Sequence, residues 1–284
     1  MKQEKSPQKA AKEETTQSSS DKTTPPRTKK TFPRRKKSKE FFVVGMGASA
    51  GGLDAFERFF QNMPSESGMS FVLITHLSPT HHSIMPDLLR KYTKMEVCQA
   101  NDGMNVKPNC IYVIPPNKNI AILHGTLQLI TPVKPHGSRL PIDFFFQSLA
   151  EDQGERAIGI ILSGTGTDGT QGLKAIKARL GMVMAQDAKT AEYDPMPRSA
   201  IETGLVDYIL PVEKMPEQLI KYINHMQPTV REKILQVTER GSLALQKIIY
   251  LILAQTGHDF SFYKKNTIYR QIERRINIHQ IDRI

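Results

Sequence analysis

The sequence predicts an α/β protein with a doubly wound, mostly parallel sheet, an antiparallel hairpin at one edge, and a C-terminal all-helical segment. Short continuous apolar runs recur from residue 41 onward and are typical of strands buried on both faces. Helix-like stretches separate several of these runs, which favours a parallel sheet with helices on both sides. After Pro228 the strand-like runs stop.

The individual elements can be predicted in chain order. The apolar runs that predict strands are residues 41–44, 71–74, 110–114, 157–162, 182–185 and 205–210. The helix-like stretches are residues 52–62, 80–93, 141–152, 170–180, 197–203 and 213–226. Two alternating runs, 120–123 and 126–130, flank His124-Gly125 and predict the hairpin. Residues 229–284 predict two or three further helices.

Composition divides the chain into three regions: a disordered basic tail over 1–40, an α/β domain over 41–226, and a helical region over 227–284. The tail holds 13 Lys and Arg against 5 Asp and Glu, whereas the other residues hold 26 against 23. The tail is either plainly solvated or an arm for an acidic partner or membrane surface. Because the folded part is only mildly basic, we do not predict a nucleic-acid partner.

Several classes of protein are excluded by what the sequence lacks. No apolar run is long enough for a membrane span, and the N-terminus has no apolar signal core, so we expect no membrane insertion. Cys98 and Cys110 alone make neither a disulfide framework nor a zinc site. We therefore expect a cytoplasmic protein with two reduced thiols, no metal and no cofactor.

The first strand runs into a glycine-rich turn, residues 45–52, which reads GMGASAGG. Two motifs overlap there: a loose dinucleotide fingerprint starting at Gly45, and the nucleophile-elbow spacing centred on Ser49. In an elbow, the flanking glycines permit a sharp strand-to-helix turn that lifts the serine Oγ out of the sheet. A glycine-rich turn can also serve packing alone, so the turn by itself leaves three interpretations open.

The end of the second strand favours the elbow. A dinucleotide site needs an acidic residue there for the ribose hydroxyls, but this chain has His76. The carboxyl ends of parallel strands line one crevice, so His76 and Ser49 are expected to face the same space. His81 and His82 follow a few residues later as surface residues or as rival bases.

A third candidate lies in the glycine-rich loop 163–169, which reads SGTGTDG and follows the strand over 157–162. Asp168 precedes a predicted helix, where aspartate often serves only as an N-cap. Alternatively, Asp168 accepts a hydrogen bond from His76 and completes a set of nucleophile, base and orienting group with Ser49. The order Ser, His, Asp differs from that of α/β-hydrolases, so the set depends on geometry.

Three separated motifs together resemble the catalytic domain of the chemotaxis protein-glutamate methylesterases (CheB type). These are GASAGG at 47–52, THLSP at 75–79 and LSGTGTDGTQGL at 162–173. Further stretches agree, at 102–103, 141–143, 185–187 and 196–201, so the resemblance covers about residues 41–226. It implies a catalytic triad of Ser49, His76 and Asp168 that hydrolyses glutamate methyl esters and deamidates glutamines on the cytoplasmic helices of chemoreceptors.

The resemblance also implies an oxyanion site made by backbone N–H groups of Ala50 and of the turn at Thr165. Family members often carry Thr and Met at these two positions, so the pocket can differ if side chains shape it. The family usually carries a receiver domain in front, whereas here a basic tail of 40 residues precedes the first strand. We therefore expect that this chain is not gated by an attached receiver.

The C-terminal residues 242–284 resemble the start of the small helical domain of CheR-type receptor methyltransferases. The resemblance rests on TGHDFS at 256–261, YKKNTI at 263–268 and RQIERRI at 270–276, and it implies a truncated esterase–methyltransferase fusion without transferase activity. The cationic face formed by Lys264, Lys265, Arg270, Arg274 and Arg275 is either solvated or meets acidic receptor helices. Residues 229–254 carry an apolar stripe suited to pairing with another helix, including self-association.

Two functions compete with the enzyme. One is a signalling module that uses the methylesterase fold for docking, with little or no turnover. The other is a nicotinamide-binding module, which the histidine in place of an acidic residue at position 76 argues against. The leading expectation is a serine hydrolase acting on a methylated chemoreceptor or receptor-like protein.

Overall fold

The structure, a computed structural model, describes residues 41–76, 84–132, 139–226, 238–261 and 263–281. The predicted disordered tail over 1–40 lies outside the described residues. So do His81, His82 and the joining segment over 227–237. The described residues belong to one compact unit, which begins at Glu40 and continues to the C-terminus.

A seven-stranded sheet forms the centre of the molecule, and all its strand pairs are parallel. Its strands are β1 (Val43–Ala48), β2 (Ser70–Thr75), β3 (Glu96–Gln99), β5 (Cys110–Val113), β8 (Ala157–Ile161), β9 (Met182–Gln186) and β10 (Tyr208–Leu210). They are arranged in the order β10-β9-β8-β1-β2-β5-β3. Strand β1 is therefore central, with β8 and β2 on either side.

The predicted hairpin forms, but in a second sheet. Strands β4 (Met104–Asn105), β6 (Asn119–Leu123) and β7 (Thr126–Ile130) make a three-stranded antiparallel sheet with β7 in the middle. The two residues between β6 and β7, His124 and Gly125, both have positive φ, as the tight two-residue hairpin turn requires. The hairpin thus pairs with β4 and does not extend the main sheet.

The helices described by the structure are α1 (Gly52–Gln61), α2 (Met85–Leu89), α3 (Pro141–Gln153), α4 (Thr170–Ala178), α5 (Pro195–Glu202), α6 (Met215–His225), α7 (Thr238–Thr256) and α8 (Lys265–His279). The predicted fold class, a mostly parallel α/β sheet with an antiparallel hairpin and C-terminal helices, is confirmed. Among these described helices, none is both long and apolar enough to cross a membrane.

Apolar side chains bury both faces of the main sheet, which makes the fold doubly wound. On one face, Phe56 and Phe59 of α1 pack with Leu219 of α6 against alternate residues of the strands. On the other face, α3, α4 and α5 pack against the remaining residues of the strands, with Phe146 of α3 at 0% exposure. Because the central strands are covered on both faces, function is left to the strand ends.

Helix α8 packs against the α/β domain near the amino ends of β9 and β10. Ile278 of α8 joins the apolar core on the face that α1 and α6 cover. The Arg274 guanidinium contacts both carboxylate oxygens of Asp207 at 3.1 Å and donates to the carbonyl of Gly181 at 3.1 Å. The hypothesis of a cationic face on this helix is wrong for Arg274, whose side chain is only 10% exposed.

Candidate active site

Ser49 follows β1 directly, at the carboxyl end of the central strand. Its N–H donates to the carbonyl of Ser163 at 3.0 Å, and its own carbonyl accepts from Gly52 N–H at 3.0 Å. Gly51 has φ 71°, a left-handed conformation that glycine adopts without strain, and it allows the chain to enter α1 at once. The strand-to-helix turn therefore leaves the Ser49 side chain at the rim of the sheet.

His76 follows β2, the neighbour of β1, and reaches Ser49. The register pairs Ala48 with Thr75, so the two residues that follow these strands begin level with one another. Ser49 Oγ lies 3.2 Å from His76 Nδ1, within hydrogen-bond distance. The imidazole is 30% exposed, so this contact lies where a substrate from solvent can reach it.

Asp168 comes from the loop after β8, the other neighbour of β1, and completes the chain of contacts. Its Oδ2 lies 2.9 Å from His76 Nε2. The same Oδ2 accepts from Ile142 N–H at 3.0 Å, and Oδ1 accepts from Asp143 N–H at 2.9 Å. The Asp168 side chain is only 2% exposed, and a carboxylate buried this deeply needs such donors. Asp168 thus caps α3 in addition to meeting His76.

These contacts define a proton path along His76. An ionised Asp168 can only accept a hydrogen bond, so the facing Nε2 carries the proton. Nδ1 then has a free lone pair and can accept the proton of the Ser49 hydroxyl. The arrangement is that of a nucleophile, a general base and an orienting carboxylate.

The loops behind Ser49 are held by two buried residues to which the sequence assigned no role. Gln186, at the end of β9, accepts from Ser163 N–H at 2.9 Å through its side-chain oxygen. The Ser163 hydroxyl donates to the Ala50 carbonyl at 2.9 Å and accepts from Tyr193 N–H at 3.0 Å. Each residue is 1% exposed. The sequence signal that could have identified Gln186 is its polar side chain at the end of an otherwise apolar strand.

Ala50 and Thr165 were predicted to supply the oxyanion donors. Ala50 is half-buried at the start of the turn and Thr165 is exposed in the loop after β8. Among the described residues, no hydrogen bond uses the backbone N–H of either one. As far as the described residues go, both groups can donate to a ligand, and their role stays a prediction.

A cavity of about 260 Å³ lies beside this turn. Its lining includes Gly51 and Ser163 at one side and the charged side chains of Arg58, Lys189 and Glu192. Arg58 is already paired with Glu213, which raises the pKa of the guanidinium. The cavity adjoins the turn that carries Ser49, but its lining includes none of Ser49, His76 and Asp168.

In the part of the chain that the structure describes, no group of three or more His, Cys, Asp or Glu side chains could hold a metal ion. Cys98 and Cys110 are both free thiols. The expectations of no metal and no cofactor stay predictions.

The fold and the site together define a class of protein: a doubly wound α/β domain in which a serine, a histidine and an aspartate contact one another at the carboxyl rim of the sheet. Comparison with known families narrows this class. A family model described as CheB methylesterase matches residues 44–219, and the chain belongs to this family. A second model, described as the all-alpha domain of CheR methyltransferase, matches residues 243–284. The two resemblances noted from the sequence are thereby confirmed.

Individual relatives agree with the family. A putative protein-glutamate methylesterase/protein-glutamine glutaminase of Leptospira interrogans is 34% identical over 62% of this chain and 92% of its own length. The crystal structure of the Thermotoga maritima CheB methylesterase catalytic domain matches with a TM-score of 0.60 and 32% identity, over 64% of this chain and 98% of that one. The family is one of hydrolases, so the predicted enzyme class, a carboxylic-ester hydrolase, is confirmed.

A third relative is much longer than this chain. An uncharacterized 104.1 kDa protein of Rhodobacter capsulatus is 33% identical over an alignment of 222 positions that covers 69% of this chain but 23% of that protein. The match runs over more residues than the methylesterase model covers. What such a long protein does as a whole does not transfer to this chain.

Proposed function

We propose that the chain is a protein-glutamate methylesterase and protein-glutamine glutaminase with Ser49 as its nucleophile. The observation that carries the proposal is the pair of contacts made by His76, 3.2 Å to Ser49 Oγ and 2.9 Å to Asp168 Oδ2. Membership of the CheB methylesterase family supports the substrate class. The proposed substrates are methyl-esterified glutamates on the cytoplasmic helices of a chemoreceptor or receptor-like protein.

The proposed reaction has two stages. In the first, His76 Nδ1 takes the Ser49 hydroxyl proton as Oγ bonds to the ester carbonyl carbon. His76 then returns this proton to the leaving group, so that methoxide departs as methanol or, in the glutamine reaction, the amide nitrogen departs as ammonia. In the second stage a water gives one proton to His76 as its oxygen bonds to the acyl carbon. His76 then passes that proton to Ser49 Oγ as the acyl–Oγ bond breaks, which releases glutamate and restores the Ser49 hydroxyl.

Charge develops at two places along this path. The imidazolium formed on His76 faces the Asp168 carboxylate, which stabilises it. The oxyanion is proposed to accept from the N–H groups of Ala50 and Thr165, neither of which has a partner in the described residues. Loss of one such donor typically costs about 3 kcal/mol of transition-state stabilisation.

The test is methanol release from a methylated receptor fragment. We expect the parent to release methanol, Ser49→Ala to abolish release while binding is retained, and Ser261→Ala, at an exposed serine of the helical region, to behave as the parent. Release by Ser49→Ala at the parent rate would contradict the nucleophile assignment. A parent that binds the fragment but releases no methanol would favour the docking module instead.

A further inference from the structure

Asp143 does not contact His76 itself but hydrogen-bonds with the residues around Asp168. The Asp168 carboxylate accepts from the start of α3, and the Asp143 carboxylate accepts from the start of α4. Asp168 lies two residues before the start of α4 but accepts N–H groups at the start of α3, from Ile142 and from Asp143 itself. Asp143, in the first turn of α3, accepts Gly172 N–H from the first turn of α4 through its side chain, at 2.6 Å. The start of α4 is thus capped by a carboxylate of α3, and the start of α3 by a carboxylate of the loop that leads into α4.

This exchange is enclosed by close packing. Gly169, next to Asp168, has φ 96°, and a Cβ there would lie 2.9 Å from the Ile142 side chain. At Gly172 a Cβ would lie 3.1 Å from Asp143 Cα, so the two helices approach as closely as glycine allows. The loop that carries Asp168 therefore has little freedom as long as the Asp143 side chain holds the start of α4.

Burying the Asp143 carboxyl costs free energy, which suggests that its hydrogen bonds have a structural role. Asp143 is 5% exposed, and burial, followed by the nearby charge of Asp168, raises the pKa of its carboxyl. N–H groups of Gly172, Gln171 and Gly169 oppose this rise. An acidic side chain kept in such a place is retained for what its oxygens hold in position.

We infer that Asp143 is a positioning residue: through its contact with the start of α4 it aims the Asp168 carboxylate at His76. The inference rests on the proposed function for its kinetic effect, but the geometry it describes can be measured without activity. If Asp143 acts in this way, an acceptor oxygen at position 143 matters more than the charge. Asparagine, which keeps such an oxygen, should then preserve the site.

The kinetic test uses Asp143→Ala, Asp143→Asn and a control on the same helix. We expect Asp143→Ala to lower kcat about 100-fold with KM little changed, because misplacing a catalytic group by about 1 Å has an effect of this size. We expect Asp143→Asn to retain most of kcat. The control is Asp152→Ala, since Asp152 near the other end of α3 also accepts backbone N–H groups, from His124 and Gly125. It should lower stability and leave kcat as in the parent.

Two further measurements separate positioning from general damage. In an Asp168→Asn background, Asp143→Ala should reduce kcat little further, whereas a residue that acts independently would show its full effect. The downfield proton resonance of His76 Nε2–H should be present in the parent and in Asp143→Asn and shifted or lost in Asp143→Ala. Full additivity of the two substitutions, or an unchanged resonance in Asp143→Ala, would overturn the inference.

The resonance also distinguishes the two proposals. An inactive parent whose His76 resonance responds to Asp143→Ala would refute the proposed function and support the positioning role. An active parent in which Asp143→Ala changes neither the resonance nor kcat would support the proposed function and refute the positioning role.

Discussion

The two ring nitrogens of His76 face different partners, and which nitrogen faces Ser49 decides which tautomer can act as the base. Nδ1 faces Ser49 and Nε2 faces Asp168, whereas the best-known serine protease triad uses Nε2 toward the serine. The chemistry needs only that the nitrogen facing the serine be unprotonated at the start. Here it is the contact with Asp168 that selects this tautomer, because a carboxylate can hold a proton only on the nitrogen it faces.

Asp168→Asn tests this selection. An amide can donate its own N–H to Nε2, which moves the ring proton to Nδ1 and removes the base from Ser49. We expect kcat for ester hydrolysis to fall about 10⁴-fold, as for the equivalent change in a serine protease. Asp102→Asn is the control, because Asp102 also accepts a backbone N–H, from Leu129, but contacts the second sheet. A drop of less than tenfold in Asp168→Asn would contradict the orienting role.

The two thiols give a prediction that is independent of the active site. Burial is the first cause that raises the pKa of both Cys98 and Cys110, and the charge of Glu96 adds to it. A raised pKa leaves less thiolate at neutral pH, and the thiolate is the reactive form. We expect both thiols to react with iodoacetamide at pH 7.5 more slowly than in the urea-unfolded chain. Equal rates in the folded and unfolded chains would show that neither thiol is protected.

At the scale of elements, the turn from β1 into α1 depends on Gly51. Its φ of 71° is unfavourable for other residues, and a Cβ would lie 2.7 Å from the Ser163 hydroxyl, which is fixed by its bonds to Ala50 and Tyr193. Gly68 is a matched control, because its φ is 73° but a Cβ there meets nothing within 4 Å. The pair separates backbone strain from crowding.

We expect Gly68→Ala to lower the free energy of unfolding by about 1–2 kcal/mol through backbone strain alone. Gly51→Ala should lower it by about 1–3 kcal/mol more, because crowding adds to the strain, and should also abolish methanol release. Urea denaturation with methanol assays measures both effects. Equal unfolding midpoints in the two variants would indicate that the Ser163 side chain can move away from a Cβ at position 51, so that crowding adds nothing to the backbone strain.

The elements differ in how well the sequence predicts them. The buried runs that became β1, β2 and β8 are continuous and apolar, and the motifs after them bring Ser49, His76 and Asp168 to one rim because parallel strands end on one side. The short strand β3 was missed, since its Glu96 and Gln99 interrupt any apolar pattern.

Contacts distant in sequence set the other limit. The sequence offered Asp168 as a cap for the helix that follows it, whereas the structure gives its bonds to α3, 25 and 26 residues earlier. The contacts of Gln186 with Ser163 span 23 residues and depend on β9 lying beside β8. Such partners follow from strand order, which local periodicity does not contain.

For the molecule as a whole, the position of α8 relative to the site is informative. Ser49, His76 and Asp168 lie past the carboxyl ends of β1, β2 and β8, while Arg274 of α8 contacts residues that precede β9 and β10. The helix that resembles part of a methyltransferase domain therefore packs at the opposite end of the sheet. Where it sits, α8 can stabilise the domain without covering the candidate site.

Arg274→Met tests how firmly this helix is attached. Asp207 also pairs with Lys177 and accepts Val183 N–H at 2.9 Å, so removal of Arg274 leaves the buried carboxylate with partners. The loss of stability should therefore be smaller than the about 3–5 kcal/mol found when a buried charge is left alone. We expect faster hydrogen exchange over α8, with kcat unchanged at temperatures where the domain is folded.

Arg270→Met is the control on the same helix. The Arg270 side chain is 68% exposed, and its Nε lies 3.9 Å from a Glu155 oxygen, so this pair should contribute less than about 1 kcal/mol. Exchange over α8 should then stay as in the parent. If Arg274→Met left exchange unchanged as well, apolar contacts such as that of Ile278 would hold the helix by themselves. If it lowered kcat without loss of folded protein, the two ends of the sheet would be coupled and α8 would be a regulator of the site.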